Sequence, residues 1–353
     1  MRIVIVGGSL SGLSAGIALA RCGHDVRVLE RTTIQLGGAG LGVDLALLRE
    51  VTGADSQTLA VVRGNRYSSS WYLVRAWLLA IASYTPGLVI REGVEATAFA
   101  LEGETVVVQT SEGAQQADLL VGADGYKSGV RARVDPQHHD ATYAGYMLWR
   151  GMCREEQMPS TTDWPGGFVD VQTTRKYRLV AYAVPGPDGS LEPGHRQISW
   201  AWYDPGRRAF LEEHHCLAGD RVIGTLSGDR FGRPLMTELL TEAERSWPSP
   251  WREAIATTLQ FGEPFATPIA EYVPNRLTSR RTLVLGDAAH VASPMTGSGF
   301  RYALLDVLAI QQALASSPDI GVALRAYERE RLEEDRELVL AGRAWGQRYL
   351  QQT

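Results

Sequence analysis

Two glycine-rich stretches, far apart in the chain, carry the residue types that hold a phosphorylated ligand. The first is IVIVGGSLSG at 3–12, where a run of β-branched residues leads into glycines and then into helical periodicity. The second is LVLGDAAHVASPMTGSGFRYALLD at 283–306, where two glycine steps enclose a loop of small residues. Glycines let backbone approach a ligand closely, and a helix N-terminus supplies oriented N–H groups. The sequence therefore contains two close-approach loops that need a common explanation.

The first stretch has the pattern of a dinucleotide-binding βαβ unit. Residues 2–6 predict a buried parallel strand, the next stretch predicts a helix that ends near Gly23, and DVRVLER predicts a second strand that ends at Glu30. Ser9 stands where the middle glycine of the fingerprint usually occurs. The predicted cofactor contacts here are Gly7, Gly8, Ser9, Leu10, Ser11 and Gly12, with Glu30 and Arg31 at the end of the second strand. The alternative is a Rossmann-type turn that binds no ligand.

Length and composition narrow the class of protein. The chain has 353 residues, enough for two domains, and a formal net charge of −5, which argues against nucleic acid as a partner. No apolar run reaches the ~18–20 residues of a membrane span. Three widely spaced cysteines favour reduced thiols. We expect a cytoplasmic monomer or homodimer that has no membrane partner.

A middle stretch, ADLLVGADGYKSGVR at 117–131, predicts a strand, a tight turn and a short helical turn. Together with the other two stretches it resembles the single-component FAD-dependent aromatic hydroxylases of the para-hydroxybenzoate hydroxylase type. That family shares the N-terminal glycine fingerprint, a middle D…GADG…S.VR motif and a late GDAAH…P…G.G motif. Within it, GGSLSG and ATYAGYMLWRG (141–151) are most similar to the 2,6-dihydroxypyridine 3-hydroxylase-like monooxygenases.

The resemblance implies that the two loops bind opposite ends of one extended FAD. Asp287 is implied to hydrogen-bond the ribityl chain, and the helix beginning near Gly297 to point its N-terminus at the flavin. His290 is implied to shape this loop, and it is given no role as a base. Arg301 departs from the asparagine that is usual in the family. The further implied cofactor contacts are Arg75, Asp124, Gly286, Pro294, Gly297, Ser298, Gly299 and Phe300.

The same resemblance implies a reaction. NAD(P)H would serve as a transient reductant, and O₂ would be used through a flavin C4a-hydroperoxide to hydroxylate an aromatic or N-heterocyclic small molecule. The alternative is an FAD-dependent dehydrogenase or reductase of the same fold that does not insert oxygen. A flavin-binding protein with a regulatory role is a third hypothesis. EEHHC at 212–216 does not predict a metal site, because adjacent histidines point apart on a helix.

The predicted fold class is α/β. A discontinuous Rossmann-like FAD-binding domain (1–141 and 275–353) would contain an inserted antiparallel β-sheet substrate domain (142–274) and end in a C-terminal helix. Alternating runs such as YAGYMLWRGM and RQISWAWYD indicate the inserted sheet. Its predicted substrate-lining residues are Tyr182, Trp200, Trp202 and Tyr203. The predicted catalytic residues are Pro294, Tyr203 and Arg150, although Arg150 could equally form a structural ion pair.

Overall fold

The computed structural model describes residues 1–33, 39–64, 66–159, 170–227 and 230–352. The N-terminal part of the chain forms ten strands and four helices in a mixed order. In chain order these are β1 Arg2–Val6, α1 Leu10–Arg21, β2 Asp25–Glu30, β3 Gly40–Val43, α2 Leu45–Thr52, β4 Val62–Arg63, β5 Tyr67–Ser70, α3 Trp71–Ser83, β6 Leu88–Glu92, β7 Ala96–Glu102, β8 Thr105–Thr110, β9 Gly113–Ala117, β10 Leu119–Gly122 and α4 Arg131–Val134.

The middle of the chain is dominated by antiparallel strands, with three helices between them. These elements are β11 Thr142–Arg154, β12 Asp170–Thr173, β13 Arg178–Val184, β14 Gln197–Asp204, α5 Arg208–Glu213, β15 Leu217–Ala218, β16 Arg221–Val222, β17 Leu226–Ser227, α6 Arg233–Ser246, α7 Trp251–Phe261 and β18 Phe265–Glu271. The C-terminal part adds β19 Thr278–Ser279, β20 Thr282–Val284, α8 Gly299–Ser316 and α9 Ile320–Gln352.

A six-stranded sheet draws its strands from both ends of the sequence. Its order is β19-β20-β10-β1-β2-β6, and every pairing except β19–β20 is parallel. Apart from Arg2, the central strands β1 and β10 are apolar, with Ile3, Ile5 and Val121 fully buried, as is typical of parallel strands covered on both faces. The fold is therefore α/β with a Rossmann-like parallel sheet, as predicted.

An eight-stranded antiparallel sheet is formed entirely by residues 142–271. Its longest strand, β11, pairs with β14 on one side and β18 on the other. Side chains alternate between its two faces. Trp149 and Trp202 lie on the face covered by α6 and α7, where they join a cluster with Trp247, Trp251 and Ile255. Leu148, Arg150 and Tyr203 share the opposite face, which leaves that face free to form a cavity wall.

The C-terminal helix α9 connects the two sheets. It packs along α8 beside the parallel sheet, and its last turns reach the antiparallel one. There the Tyr349 hydroxyl donates to the Tyr203 carbonyl (2.8 Å), and its ring meets that of Tyr146 edge-on. None of the described helices is long and apolar enough to cross a membrane.

We expect Tyr349→Phe to lower the free energy of unfolding by about 1 kcal/mol. The substitution removes a buried hydroxyl that donates to a carbonyl on β14 and to one in the turn before β13. Urea denaturation of the two proteins measures the difference. Tyr84→Phe is the matched control, since the Tyr84 side chain is 86% exposed. Equal losses in the two variants would contradict a connecting role for α9.

Candidate functional site

The parallel sheet brings the three motifs to one edge. The Ala123 N–H donates to the Val6 carbonyl (2.8 Å), and the Leu285 N–H donates to the Gly122 carbonyl (3.0 Å). The residues that follow β1, β10 and β20 therefore start from the same edge, because parallel strands end there together. Loops that are distant in sequence thus form one continuous surface.

These loops enclose a cavity of about 660 Å³, which we call the loop cavity. Most of the predicted cofactor contacts line it. They are Gly7, Ser9, Leu10, Ser11, Glu30, Arg31, Asp124, Asp287, Pro294, Gly297, Ser298, Gly299 and Phe300. Four of the predicted contacts are not among the described residues that line the cavity: Gly8, Gly12, Gly286 and Arg75. They pack behind the lining residues.

The first glycine loop is closed too tightly for side chains. A Cβ at Gly12 would lie 1.8 Å from the Gly7 carbonyl oxygen, a distance that no side chain can adopt. The Gly8 N–H donates to Glu30 Oε2 (2.8 Å), which fixes the loop against the end of β2. Ser9 begins α1 without a side-chain capping bond, so the first-turn N–H groups remain directed at the loop cavity. Such a turn fits a pyrophosphate.

Arg75 lies outside the loop cavity. Its Nε donates to the Gly8 carbonyl (3.3 Å), and its terminal nitrogen donates to Glu92 (2.6 Å). Helix α3 begins at Trp71, after the Ser70 cap, so Arg75 is one turn into the helix and faces the back of the first loop. In this arrangement Arg75 braces the loop, and the prediction that it contacts the cofactor has no support from the cavity lining.

Asp124 borders the loop cavity, but its carboxylate already has partners. It accepts from the N–H groups of Gly129 (2.8 Å) and Val130 (3.2 Å) and from the Ser128 hydroxyl. Burial raises the pKa of this carboxyl, and these hydrogen bonds oppose the rise. The acid of the middle motif therefore holds its own turn, which precedes α4, and presents one edge to the cavity.

Arg131, the last residue of the middle motif, joins that motif to the late loop. It is almost fully buried, and its guanidinium donates to the carbonyls of Tyr126 (2.6 Å), His139 (2.7 Å) and Ala288 (3.1 Å). The same group lies 4.3 Å from the centre of the Tyr272 ring. One side chain thus fixes the loop that carries Asp287.

A buried charge network supports the late loop from the other side. Asp306 of α8 accepts from His290 Nε2 (2.9 Å) and from the Gly286 N–H (2.9 Å), and Arg331 of α9 bonds both Asp306 (2.9 Å) and Asp335 (2.7 Å). Burial disfavours the charged imidazole, but Asp306 and Asp335 outweigh burial and raise the pKa of His290 to about 9. His290 therefore shapes the loop as a buried cation, and it does not face the loop cavity.

A second cavity, of about 780 Å³, lies between the antiparallel sheet and the late loop, and we call it the sheet cavity. Leu41, Pro294, Thr296, Gly297, Gly299 and Phe300 line both cavities. Gly297 has a left-handed φ of +59°, and α8 begins just beyond it, so the N-terminus of α8 lies at this common wall. A planar group bound along the late loop would face both the loop cavity and the sheet cavity.

The sheet cavity receives three of the four predicted substrate-lining residues. Tyr182 and Tyr203 point into it. Trp200 borders it next to Gly151, but its indole nitrogen donates to Thr258 Oγ1 (2.8 Å) on α7. The structure corrects our prediction that Trp202 lines the substrate cavity. Its ring packs edge-on against Tyr177 and Trp247 on the helix-covered face. Tyr203 and Trp202 are neighbours in one strand and so face opposite sides.

Arg150 lies in the sheet cavity with a buried guanidinium. Its Nε has no hydrogen-bond partner, and the group lies 5.3 Å from the centre of the Phe265 ring. The structural ion pair that we considered as an alternative is not formed within the described part of the chain. Burial lowers the pKa of Arg150, and the nearby tyrosines oppose that effect.

Several cavity residues were missed by the sequence analysis. Arg178 and Val180 could have been found, because residues two apart in a strand share a face and Tyr182 was already assigned to it. Trp345 of α9 and Ser68 of β5 also line the sheet cavity. No local signal in the sequence connects these two residues to β13 or β14, because they approach through the tertiary fold.

The two cavities fit the FAD that the motifs imply. The loop cavity has helix N–H groups at one end, the acid Glu30 at the end of β2, and Asp287 at the entry to the late loop. Burial raises the pKa of the Asp287 carboxyl, while His290 and Arg131 lower it. These groups match the pyrophosphate, ribose and ribityl parts of an extended dinucleotide.

We expect the stability of the protein to fall as the pH rises from 6.5 to about 9, because the raised pKa of His290 stabilises the folded state only while the imidazole is charged. The contribution is about 3 kcal/mol at most. Replacement of His290 by Gln should flatten the pH dependence of the unfolding free energy over this range. His138→Gln, at a site 67% exposed, is the control. Parallel curves for wild type and His290→Gln would refute the assignment.

Comparisons with known proteins agree with this geometry. Residues 143–271 match a family described as "FAD binding domain-like", and residues 239–340 match "FAD binding domain". The chain is 26% identical to the 2,6-dihydroxypyridine 3-monooxygenase of Paenarthrobacter nicotinovorans, over 94% of this chain and 87% of that protein. It is also 26% identical to the FAD-dependent urate hydroxylase of Mycolicibacterium vanbaalenii, over 97% of this chain and 87% of the relative.

Among solved structures, 2,6-dihydroxypyridine-3-hydroxylase from Arthrobacter nicotinovorans superposes with a TM-score of 0.81 at 21% identity, covering 99% of this chain and 92% of the other. That likeness establishes the shared fold. The matched relatives are named as oxygen-inserting enzymes, which favours a monooxygenase over the dehydrogenase alternative. With the three motifs assembled at one sheet edge, the chain is similar in sequence and fold to FAD-dependent monooxygenases of the aromatic hydroxylase type.

Proposed function

We propose that the protein hydroxylates an aromatic or N-heterocyclic small molecule, with NAD(P)H as reductant and O₂ as the source of oxygen. The observation that carries the proposal is the wall shared by the loop cavity and the sheet cavity. A cofactor held by the late loop and a substrate held on the sheet would meet at that wall. When bound, FAD supplies the redox and oxygen-transfer chemistry, and the protein supplies position and electrostatics.

In this proposal the N–H groups at Ser9, Leu10 and Ser11 bind the pyrophosphate, and Glu30 binds ribose hydroxyls. Asp287 orients the ribityl chain. The N-terminus of α8 would stabilise negative charge on the bound flavin. Thus each end of the loop cavity is assigned to a different part of one cofactor.

The sheet cavity is proposed to hold the substrate ring and to exclude water. Tyr182, Phe265 and Phe300 give it aromatic walls, and Trp345 of α9 lies at its edge. Burial raises the pKa of Tyr182 to about 12, so its hydroxyl stays protonated at neutral pH and is available as a donor near Ser199. Water exclusion matters because an activated oxygen that meets water is lost.

Pro294, Tyr203 and Arg150 are retained as proposed substrate-orienting groups. Pro294 lies in the shared wall, and its carbonyl already accepts from the Gly297 N–H (3.0 Å), which leaves one lone pair for a substrate hydroxyl. Tyr203 is held by the contact with Tyr349 and faces the cavity. These positions support roles in orienting the substrate ring. The proposed roles do not require a catalytic triad.

We also propose that the chain divides into a cofactor part (1–141 and 275–353) and a substrate part (142–274), because each of the two large sheets falls within one part. The cytoplasmic location and a monomeric or homodimeric state remain predictions.

The direct test is to follow NAD(P)H oxidation and O₂ uptake by the FAD-loaded protein with a panel of hydroxylated aromatics and hydroxypyridines. We expect at least one compound to accelerate both rates and to return as a product that is one oxygen heavier. Turnover that proceeds equally well without O₂ would overturn the monooxygenase assignment. Catalase-sensitive H₂O₂ formation separates productive hydroxylation from leakage.

Gly12→Ala should abolish retention of FAD, because the new Cβ would strike the Gly7 carbonyl oxygen at 1.8 Å and open the loop. The flavin-to-protein absorbance ratio after purification measures the effect. Gly129→Ala, at a glycine that lines the loop cavity, is the control, since a Cβ there meets no atom closer than 3.8 Å. Full flavin content in Gly12→Ala would show that the first loop does not bind the cofactor as proposed.

Ala201→Phe should raise the KM for substrate by at least about 10-fold, equal to about 1.4 kcal/mol, while leaving FAD content unchanged. Ala201 is the small residue between Arg150 and Val180 on the floor of the sheet cavity, and a phenyl ring there fills the substrate space. Ala218→Phe, at an exposed position of β15, is the control. An unchanged KM would place the substrate elsewhere.

A further inference from the structure

Strand β11 presents a buried tyrosine to the late loop. The Tyr146 side chain is fully buried, and its hydroxyl is hydrogen-bonded to the hydroxyl of Ser293 (2.6 Å), a residue that is also fully buried. Ser293 directly precedes Pro294, which belongs to the wall that the loop cavity and the sheet cavity share. This hydrogen bond therefore joins the antiparallel sheet to the backbone along which a flavin would lie.

Ser293 in turn holds the residues that follow it. Its hydroxyl accepts from the Met295 N–H (3.2 Å), and its carbonyl accepts from the N–H (3.1 Å) and the hydroxyl (3.0 Å) of Thr296. Pro294–Thr296 form a short 3₁₀ turn that ends at Gly297, and we call it the Pro294 turn. The hydrogen bonds that begin this turn thus end on a residue to which Tyr146 is bonded.

An irregularity in β11 lies where this tyrosine leaves the strand. The pairing of β11 with β18 shifts register before Met147, and Gly145 adopts a left-handed φ of +92°. Irregularities of this kind re-aim the side chains beside them and are common next to active sites. Leu148 faces the sheet cavity, and Tyr146, two residues earlier, lies on the same side, with its ring centre 6.0 Å from that of Tyr203.

Helix α9 closes the other side of this contact with two glycines that are one turn apart. A Cβ at Gly346 would lie 2.9 Å from Cε1 of Tyr146, and a Cβ at Gly342 would lie 3.1 Å from Cβ of Ser293. A larger residue at either position would therefore have to move the ring or the loop. The Tyr349 ring meets the Tyr146 ring edge-on, with centres 5.8 Å apart. The hydrogen-bonded pair is thus enclosed between β11 and α9.

We propose that Tyr146 is a positioning residue for oxygen transfer: through Ser293 it holds the Pro294 turn, and the turn keeps the flavin and the substrate at a fixed separation. Tyr146 itself lies behind the wall, outside the described lining of both cavities. The inference rests on the proposed function and adds a residue that acts without touching substrate or FAD. Small misplacements of reacting groups cost rate, and oxygen that misses the substrate is released as H₂O₂.

The first readout is the amount of hydroxylated product formed per NAD(P)H oxidised by the FAD-loaded protein. We expect Tyr146→Phe to lower this ratio about 3- to 10-fold, as the loss of one hydrogen bond between neutral groups allows, with H₂O₂ accounting for the difference. A purely structural role would leave the ratio unchanged, because unfolded molecules neither oxidise NAD(P)H nor form product. A wild-type ratio in Tyr146→Phe would therefore overturn the inference.

The second readout does not depend on turnover. The visible circular dichroism of the retained flavin, measured per bound FAD, reports how firmly the protein holds the groups around the flavin ring. We expect Tyr146→Phe to retain its FAD, because the first glycine loop is unchanged, and to lose part of this signal. A spectrum identical to that of the wild-type protein would show that the Pro294 turn does not depend on Tyr146.

A double-variant experiment tests whether Tyr146 acts through Ser293. Ser293→Ala should reproduce both effects, and the combination of Tyr146→Phe with Ser293→Ala should not add to them, because groups that act through one hydrogen bond are not additive. Additive effects would show a different route and overturn the inference. Tyr143→Phe is the matched control: Tyr143 lies on the same strand, and its buried hydroxyl has no hydrogen-bond partner in the described chain, so both readouts should equal those of the wild type.

The two readouts separate the inference from the proposed function. If the wild-type protein forms a hydroxylated product and Tyr146→Phe keeps the wild-type ratio, the inference fails and the proposed function stands. If the wild-type protein forms no hydroxylated product, the proposed reaction fails, and the circular dichroism of Tyr146→Phe and Ser293→Ala decides whether Tyr146 positions the turn beside the flavin.

Discussion

The structure depends on the parallel pairing of β10 with β1 on one side and β20 on the other. Val6, Gly122 and Val284 lie in one row across these strands, so the chain leaves the sheet three times at the same edge. Strands that run parallel must place their following loops together. Every later feature of the site follows from this row, including the proximity of the first glycine loop to Asp287.

The late loop is held by charges that are buried on both of its sides. Arg131 binds its carbonyls from the middle motif, and Asp306 binds the Gly286 N–H from α8. Arg331 and His290 supply the cations that keep Asp306 ionised: burial disfavours that charge, but these groups lower the pKa of Asp306. A loop rich in small residues has little packing of its own, so such a network can fix the backbone on which a cofactor rests.

The antiparallel sheet performs two different tasks with its two faces. One face packs Trp149 and Trp202 against Trp247 and Trp251 in the core beneath α6 and α7. The other face carries Arg150, Tyr182 and Tyr203 toward the late loop, with Ala201 leaving space between them. Alternation along a strand separates structural aromatic residues from those that can touch a ligand.

The sequence by itself determined the α/β fold, the glycine loops and most of the loop-cavity residues, because these are encoded in short contiguous motifs such as GGSLSG and GDAAH. The alternation of side chains along β14 could also have shown that Trp202 and Tyr203 do not share a face. Only the tertiary structure decided that Arg75 braces the first loop from outside, that Ser68 and Trp345 line the sheet cavity, and that Arg150 has no partner acid in the described chain. These properties depend on which distant elements pack together, and local sequence patterns carry no record of that packing.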